Sequence, residues 1–448
     1  RLLIDYAMHR RQKLYLIFVD FSKAYDRVPR DLLIRKLAQM GCGALMLHAI
    51  AAIYKCTKMI LRTAVISSVI GVRQGSPTSC FLFTMVVNDL IRDLKTRCAP
   101  DGFLQWLHVL MLMDDTILLA TSRQRAMEKV NVMTGFCRAS GMQINESKTK
   151  FMIINGTKEE RRPMTLEDLE IKNCDTYTYL GMTFSQDGKL ATSMKAQCES
   201  KMPHVVKFES FIKKNQDMPY EVKSQVFNAA LSSAILYGCE SWLSTAAIEL
   251  IAPLYNGCVR LLLGVRKTTA TDLCLVESGL PGIDERVKVA QKTLITKLIR
   301  TREGMEDDPF SFAWQLARNA RTPCARYIIA LDEFDPQQAR EDLYTRVRYS
   351  ARTKFVTYRT LMNPRMEVHD MYSNRNIKEH ERLAVTKYRL SSHNLAIETG
   401  RWSRKQREER ICPECRVMQD ESHALAHCRL NEDVRTQFPR IDFVLPDF

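Results

Sequence analysis

Two adjacent aspartates, Asp114 and Asp115, stand between two apolar runs, Val109-Leu110-Met111-Leu112-Met113 and Thr116-Ile117-Leu118-Leu119-Ala120. Two runs of strand length separated by two polar residues predict a β-hairpin with the aspartates at its turn. Apolar residues throughout both runs imply that the hairpin is buried. Paired carboxylates at the tip of a buried hairpin repel each other unless cations neutralise them. An Asp-Asp pair is also ordinary turn chemistry, so the flanking runs carry the argument. A third carboxylate, Asp20, directly follows the strand-like run Leu14-Tyr15-Leu16-Ile17-Phe18-Val19. Carboxylates at strand ends and turns can converge on one edge of a sheet. Such a cluster suits Mg²⁺, a hard ion that takes oxygen ligands. Phosphoryl transfer from a nucleoside triphosphate uses two such ions about 3.5–4 Å apart, one for the attacking oxygen and one for the departing pyrophosphate.

The pattern around these residues is mixed. Residues 1–155 alternate strand-like and helical runs, which predicts an α+β domain. Residues 31–52 read as one helix with Leu32, Leu33, Leu37 and Met40 along one side. Residues 156–190 read as a connector with short strands, ending in Tyr179-Leu180-Gly181. From 191 to 305 the pattern is helical. There Pro219 opens a helix in which Val222, Val226, Ala230 and Ala234 recur at spacing four, with Phe227, Leu231 and Ile235 beside them. Residues 306–340, acidic and Pro-containing, read as a linker. Residues 341–448 read as a basic tail: between Arg340 and Ile411, 17 Lys and Arg stand against 9 Asp and Glu.

The net charge of +15 favours a polyanionic partner, nucleic acid first and an anionic membrane surface second. Fourteen cysteines scattered over 448 residues, with no signal-peptide pattern, do not make a small disulfide-stapled secreted domain. Cys80, Cys137 and Cys258 lie in apolar stretches and read as reduced core thiols. No apolar run approaches the ~18 residues needed to span a bilayer. The expectation is therefore no membrane, and a place in the nucleus and/or cytoplasm. The chain opens on Arg1 in an apolar-basic pattern and reads as a fragment of something longer.

Five segments occur in order over about residues 14–190. They are Phe18-Val19-Asp20-Phe21-Ser22-Lys23-Ala24-Tyr25-Asp26; Val72-Arg73-Gln74-Gly75-Ser76-Pro77-Thr78-Ser79 followed by Leu82-Phe83; Leu112-Met113-Asp114-Asp115; Gly141-Met142-Gln143-Ile144-Asn145 with Lys148-Thr149-Lys150; and Tyr179-Leu180-Gly181. Together they resemble motifs A to E of the reverse transcriptases of non-LTR (LINE-type) retrotransposons. The resemblance implies a right-hand polymerase: a palm with partial fingers over 1–190, a helical thumb over 191–305, the linker 306–340, and a zinc-binding C-terminal tail over 341–448. It implies RNA-directed DNA synthesis, with template RNA, primer or target DNA and dNTPs as partners. By this resemblance Asp20 and Asp114 hold two Mg²⁺ ions with Asp115 assisting, and the backbone carbonyl of Phe21 completes one shell. Tyr25 falls where the family has an aromatic gate against a 2′-hydroxyl; read alone, it is a packing aromatic. Gln74 and Gly75 border the incoming nucleotide, Gly75 letting the backbone approach closely; read alone, they form a turn. Lys148 is the general-acid candidate toward pyrophosphate, or else a surface lysine.

One residue departs from the family pattern: Leu112 stands where an aromatic side chain is usual near the primer terminus. In addition, only 19 residues precede Asp20, whereas the family places a basic fingers hairpin upstream of motif A. The chain as it stands is expected to be a poor polymerase that still binds nucleic acid.

In the tail, Cys412-x2-Cys415 is followed by His423, His427 and Cys428. Two thiolates from a tight turn, with a His and a Cys from a short helix, suit tetrahedral Zn²⁺. His427 competes for the histidine position; the family's spacing selects Cys412, Cys415, His423 and Cys428. Arg389-Leu390-Ser391-Ser392-His393 and Glu398-Thr399-Gly400-Arg401-Trp402 also resemble that family's tails. With its basic count, the tail reads as a nucleic-acid grip in which Trp402 or Tyr388 stacks on bases. Two other functions fit parts of the pattern: an RNA-dependent RNA polymerase, which shares paired aspartates, and a decayed or co-opted copy that only binds nucleic acid.

Overall fold

A computed structural model describes residues 1–55, 57–62, 64–73, 75–302 and 304–438. The chain divides into two compact units. The first comprises residues 1–193 and 298–327; the second comprises 194–297 and 328–448.

The first unit is α+β. Its helices include α1 (Leu2–Arg10), α2 (Arg30–Gln39), α3 (Ala44–Lys55), α4 (Pro77–Arg97) and α5 (Arg123–Ser140). Its strands are β1 (Leu14–Val19), β2 (Lys58–Leu61), β3 (Ala64–Ser67), β4 (Val109–Leu112), β5 (Asp115–Ala120), β6 (Lys150–Ile154), β7 (Met164–Leu166), β8 (Leu169–Asn173), β9 (Thr176–Tyr179) and β10 (Met182–Ser185). One six-stranded sheet has the order β4-β5-β1-β6-β8-β7, while β2–β3 and β9–β10 are separate two-stranded hairpins. Strand β1 is central and every one of its residues is buried. Its side chains alternate between faces. Tyr15, Ile17 and Val19 join the core formed with Leu82, Phe83, Val86 and Leu90 of α4 and Val130 and Met133 of α5. On the other face Phe18 stacks on Tyr177 of β9, with ring centroids 4.0 Å apart.

Several expectations change against this frame. The predicted hairpin forms, but its two-residue turn is Met113-Asp114, with Met113 at φ +57°, and Asp115 opens β5. It is buried on one strand only. β5 lies inside the sheet, while β4 pairs with β5 alone at the edge, so Leu112 is 52% exposed. The single helix expected over 31–52 breaks into α2 and α3 around Gly41-Cys42-Gly43. Residues 306–340 are not a linker. Helices Pro309–Asn319, Pro323–Asp332 and Pro336–Tyr349 cover most of that span. Part of it belongs to the first unit, where the carboxylate of buried Asp5 accepts the Cys324 N–H at 2.9 Å and Trp106 packs on Phe312.

The second unit is helical. The helix after Pro219 runs as Tyr220–Val226, a π-helical stretch Phe227–Ser232, and Ser233–Leu236. Its buried row is Phe227, Leu231 and Ile235, not the Val222–Ala234 row beside it. The helix Thr245–Leu263 is long and apolar enough to cross a membrane by length and composition, contrary to the expectation from apolar runs. Its Ile248, Ile251, Tyr255, Val259 and Leu262 are buried within the unit. Residues expected as separate thumb and tail share one core. Buried Glu277 accepts from Arg389 Nε (2.6 Å), Tyr358 Oη (2.7 Å) and Tyr372 Oη (3.1 Å). Buried Glu379 is held by Arg382 and by Lys223 Nζ at 2.9 Å. Among the described residues the cysteines are free thiols; Cys137 and Cys258 are buried, and burial pushes both thiols up to about 12.

Candidate active site and metal centre

The carboxylates converge because of strand register. β1 pairs antiparallel with β5, with Val19 opposite Thr116. The next residue on one side is Asp20 and the preceding one on the other is Asp115, so the two stand across the open end of the same ladder. Asp114 sits beside them in the hairpin turn. The backbone around Asp20 is fixed from both directions: its N–H donates to Thr149 Oγ1 (3.2 Å) and its carbonyl accepts from Asn145 N–H (2.7 Å). Lys148 Nζ lies 3.9 Å from Asp20 Oδ1, with both side chains open to solvent. Burial, then Asp114, then Asp20 hold the Asp115 carboxyl above its ordinary range. A carboxyl made harder to ionise by burial and by two acidic neighbours marks a site short of positive charge.

Tyrosines surround this cluster. Tyr25 stacks on Phe83 (4.8 Å) and its hydroxyl reaches Cys80 Sγ at 3.8 Å. Burial first, then Cys80 and Asp114, push it up to about 12. Tyr179 Oη donates to the Asp115 carbonyl (3.2 Å), which ties the Tyr179-Leu180-Gly181 turn to the site. Burial, Asp20 and Asp115 raise Tyr177. Phe21 is buried and bridges Ile144. Gln74 lies outside the described residues. Gly75 has φ +80° with open space where a Cβ would stand. Gly71 makes a close approach within the protein: at φ +85°, a Cβ there would lie 2.8 Å from the Asp26 backbone. Gly71 and Val72 donate to the Val28 and Tyr25 carbonyls, which seats the following segment beside Tyr25.

Sequence reading passed over Arg30. Its guanidinium binds the carbonyls of Gly71 (2.9 Å), Tyr54 (3.0 Å) and Ile70 (3.0 Å) and lies over the Tyr54 ring. No local pattern marks a residue whose partners are backbone carbonyls up to 41 positions away. Thr149 and Tyr177 were within reach, lying in or beside quoted segments.

In the second unit, Cys412, Cys415, His423 and Cys428 place four ligand atoms within 4.8 Å of one another. The Cys412 and Cys428 sulfurs are 3.7 Å apart. A tetrahedron with zinc–sulfur arms of about 2.3 Å has an edge of about 3.8 Å. His423 Nε2 is buried and has no hydrogen-bond partner among the described residues, which suits a metal-ligand atom. The Cys412 thiol is held down to about 6, first by the Cys415 N–H. His427 is exposed and outside the group. These residues fit Zn²⁺.

The two tail segments are largely structural. Arg389 is buried on Glu277, while Ser391 and His393 hold Glu421 at 2.9 and 3.0 Å. Tyr388 is half-buried and its hydroxyl donates to the Glu421 carbonyl. Trp402 is 58% exposed, with the Arg266 guanidinium 4.2 Å from its ring centroid.

Residues 2–184 match the family model described as reverse transcriptase (RNA-dependent DNA polymerase). Over 287 residues the chain is 22% identical to the putative 115 kDa protein in the type-1 retrotransposable element R1DM of Drosophila melanogaster, covering 61% of this chain and 27% of that protein. Over 206 residues it is 25% identical to the retrovirus-related Pol polyprotein from the type-1 retrotransposable element R2 of Nasonia vitripennis, covering 42% and 20%. The chain thus spans about a quarter of the length of these relatives. A telomerase structure from Candida albicans, in complex with a fragment of telomeric RNA, superposes loosely, with TM-score 0.30 and 14% identity over 68% of this chain and 51% of that one.

Proposed function

We propose that this chain, whose residues 2–184 match the reverse transcriptase family model and which is similar to proteins of non-LTR retrotransposons, extends a primer 3′-hydroxyl with dNTPs on an RNA template at the end of β1. The observation that carries this reading is the meeting of Asp20, Asp114 and Asp115 at one open sheet end, where burial and the two neighbouring acids hold the Asp115 carboxyl above its ordinary range. In this reading Asp20, Asp114 and Asp115 hold two Mg²⁺ ions, which supply charge neutralisation for the attacking and leaving oxygens. Lys148, within reach of Asp20, gives its proton to the departing pyrophosphate. Tyr25, its ring backed by Phe83, lies under the sugar and excludes a 2′-hydroxyl. Phe21 and the segment around Gln74 and Gly75 border the nucleotide, with Gly75 leaving room for it.

The first unit is then a palm with part of the fingers, and the second combines the thumb with a tail built on structural Zn²⁺. Template RNA and primer or target DNA are the partners, with no membrane, in the nucleus and/or cytoplasm. The test is template-dependent primer extension with Mg²⁺, run with dNTPs and NTPs in parallel. Extension that prefers dNTPs supports the reading. Preference for NTPs moves the function to RNA synthesis, and binding without extension in every form leaves only a nucleic-acid-binding protein.

A further inference from the structure

The second unit contains a cavity of about 490 Å³ that neither the carboxylate cluster nor the zinc group uses. This size falls within the range of about 300–1,000 Å³ common for small-molecule sites. One wall is the helix Thr353–Thr357 with its continuation to Met362, and the other is the helix Ala396–Trp402. The cavity thereby gathers residues from both tail segments that the zinc group leaves unexplained, Ser391 from one and Glu398 and Arg401 from the other.

The polar groups facing this space are unequal. Its acids are already engaged within the protein. Glu398, 2% exposed, holds Lys354 Nζ and lies 3.4 Å from Arg401 Nη1. Glu421 is bound by Ser391 and His393, and Asp420 accepts the His423 N–H. The cations are not used up. Arg407, at the rim, has no side-chain partner among the described residues, and Arg401 spends only one nitrogen on Glu398. Thr357 also lines the cavity, and its hydroxyl has no hydrogen-bond partner among the described residues. Beside these donors, buried Ile397 and half-buried Leu361 supply an apolar wall. Open donors, mostly guanidinium, next to an apolar surface call for an anion joined to a flat apolar body. Guanidinium groups favour phosphate because their paired N–H groups match its oxygens.

We propose that this cavity binds a nucleotide, its phosphate on Arg401 and Arg407 and its base against Ile397 and Leu361. The nucleotide is either free or the unstacked end of a strand. The inference does not depend on the carboxylate cluster being a polymerase site.

The experiment is fluorescence anisotropy on the zinc-loaded chain, without added magnesium, with two probes: a fluorescently labelled AMP, and a 5′-phosphorylated single-stranded DNA 12-mer labelled at its 3′ end. Two variants are compared with the unsubstituted chain. Arg401→Ala with Arg407→Ala removes the phosphate donors, and Thr357→Met narrows the cavity without changing charge. Asp114→Asn is the control for the carboxylate cluster. Both variants should weaken at least one probe by about tenfold or more, with zinc content and circular dichroism unchanged, and Asp114→Asn should leave that binding intact. Loss of AMP binding identifies a free-nucleotide site, and loss of only the 12-mer identifies a strand end. Binding of both probes within about twofold of the unsubstituted chain in Thr357→Met overturns the proposal, whatever the double variant does. So does loss of both equally in Asp114→Asn.

Discussion

At the scale of single residues, the site depends on charges that the fold concentrates and does not itself neutralise. Asp20, Asp114 and Asp115 meet, and among the described residues the cation paired with them is Lys148, which is open to solvent. Tyr25 is held by a ring stack and a weak thiol contact, not by a buried ion pair. Tyr25→Ala should therefore keep the fold and raise the use of NTPs relative to dNTPs in primer extension; an unchanged ratio would reduce Tyr25 to a packing residue. His108 gives a separate prediction about stability. It is buried beside Lys129, and desolvation lowers its pKa to about 4 from an ordinary 6.5. Between those values the unfolded chain takes up a proton that the folded chain does not. The stability from a neutral buried His108 is thus complete above about 6.5 and is lost as pH falls toward 4, by about 1.4 kcal/mol for each pH unit. Urea unfolding of His108→Gln against the unsubstituted chain should show a flatter pH dependence across that window, and parallel curves would show that His108 is not the titrating group.

At the scale of elements, legibility followed how local the cause was. The aspartate hairpin and β1 were readable because carboxylates interrupt strictly apolar runs. The zinc group was readable because its ligands lie within 17 residues of one another. Charge and proline across 306–340 suggest a linker, yet most of that span is helical. Pro309, Pro323 and Pro336 are each the first residue of a helix. The preceding Asp308, Thr322 and Asp335 accept backbone N–H groups as caps. A polar cap followed by proline is a helix-start signal, and it was there to be read. Apolar composition does not distinguish an edge strand from a central one, so the exposure of Leu112 is not legible in the sequence. The zinc element should behave as a local folding unit. In Cys412→Ser with Cys415→Ser, zinc content should fall to near zero and protease sensitivity should rise around 396–430, while the first unit's melting is unchanged. Stoichiometric zinc in that variant would refute the assigned ligands.

At the scale of the whole molecule, sequence distance conceals how the second unit is built. Its two stretches are joined by ion pairs between residues more than 100 positions apart, Glu277 with Arg389 and Lys223 with Glu379. Removing one partner of a buried pair leaves the other uncompensated, at a cost of about 3–5 kcal/mol. Glu277→Gln should destabilise the second unit by that order in denaturant unfolding, and a change below about 1 kcal/mol would show that the pair is dispensable. The central claim is that the end of β1 is a two-metal polymerase site. Its most direct test is Mg²⁺-dependent primer extension on an RNA template, by the chain and by the longest natural form that carries it, with and without Asp114→Asn. The account predicts extension with Asp114, its loss by several orders of magnitude in Asp114→Asn, and an unchanged melting transition. Extension by Asp114→Asn at near the unsubstituted rate would contradict it.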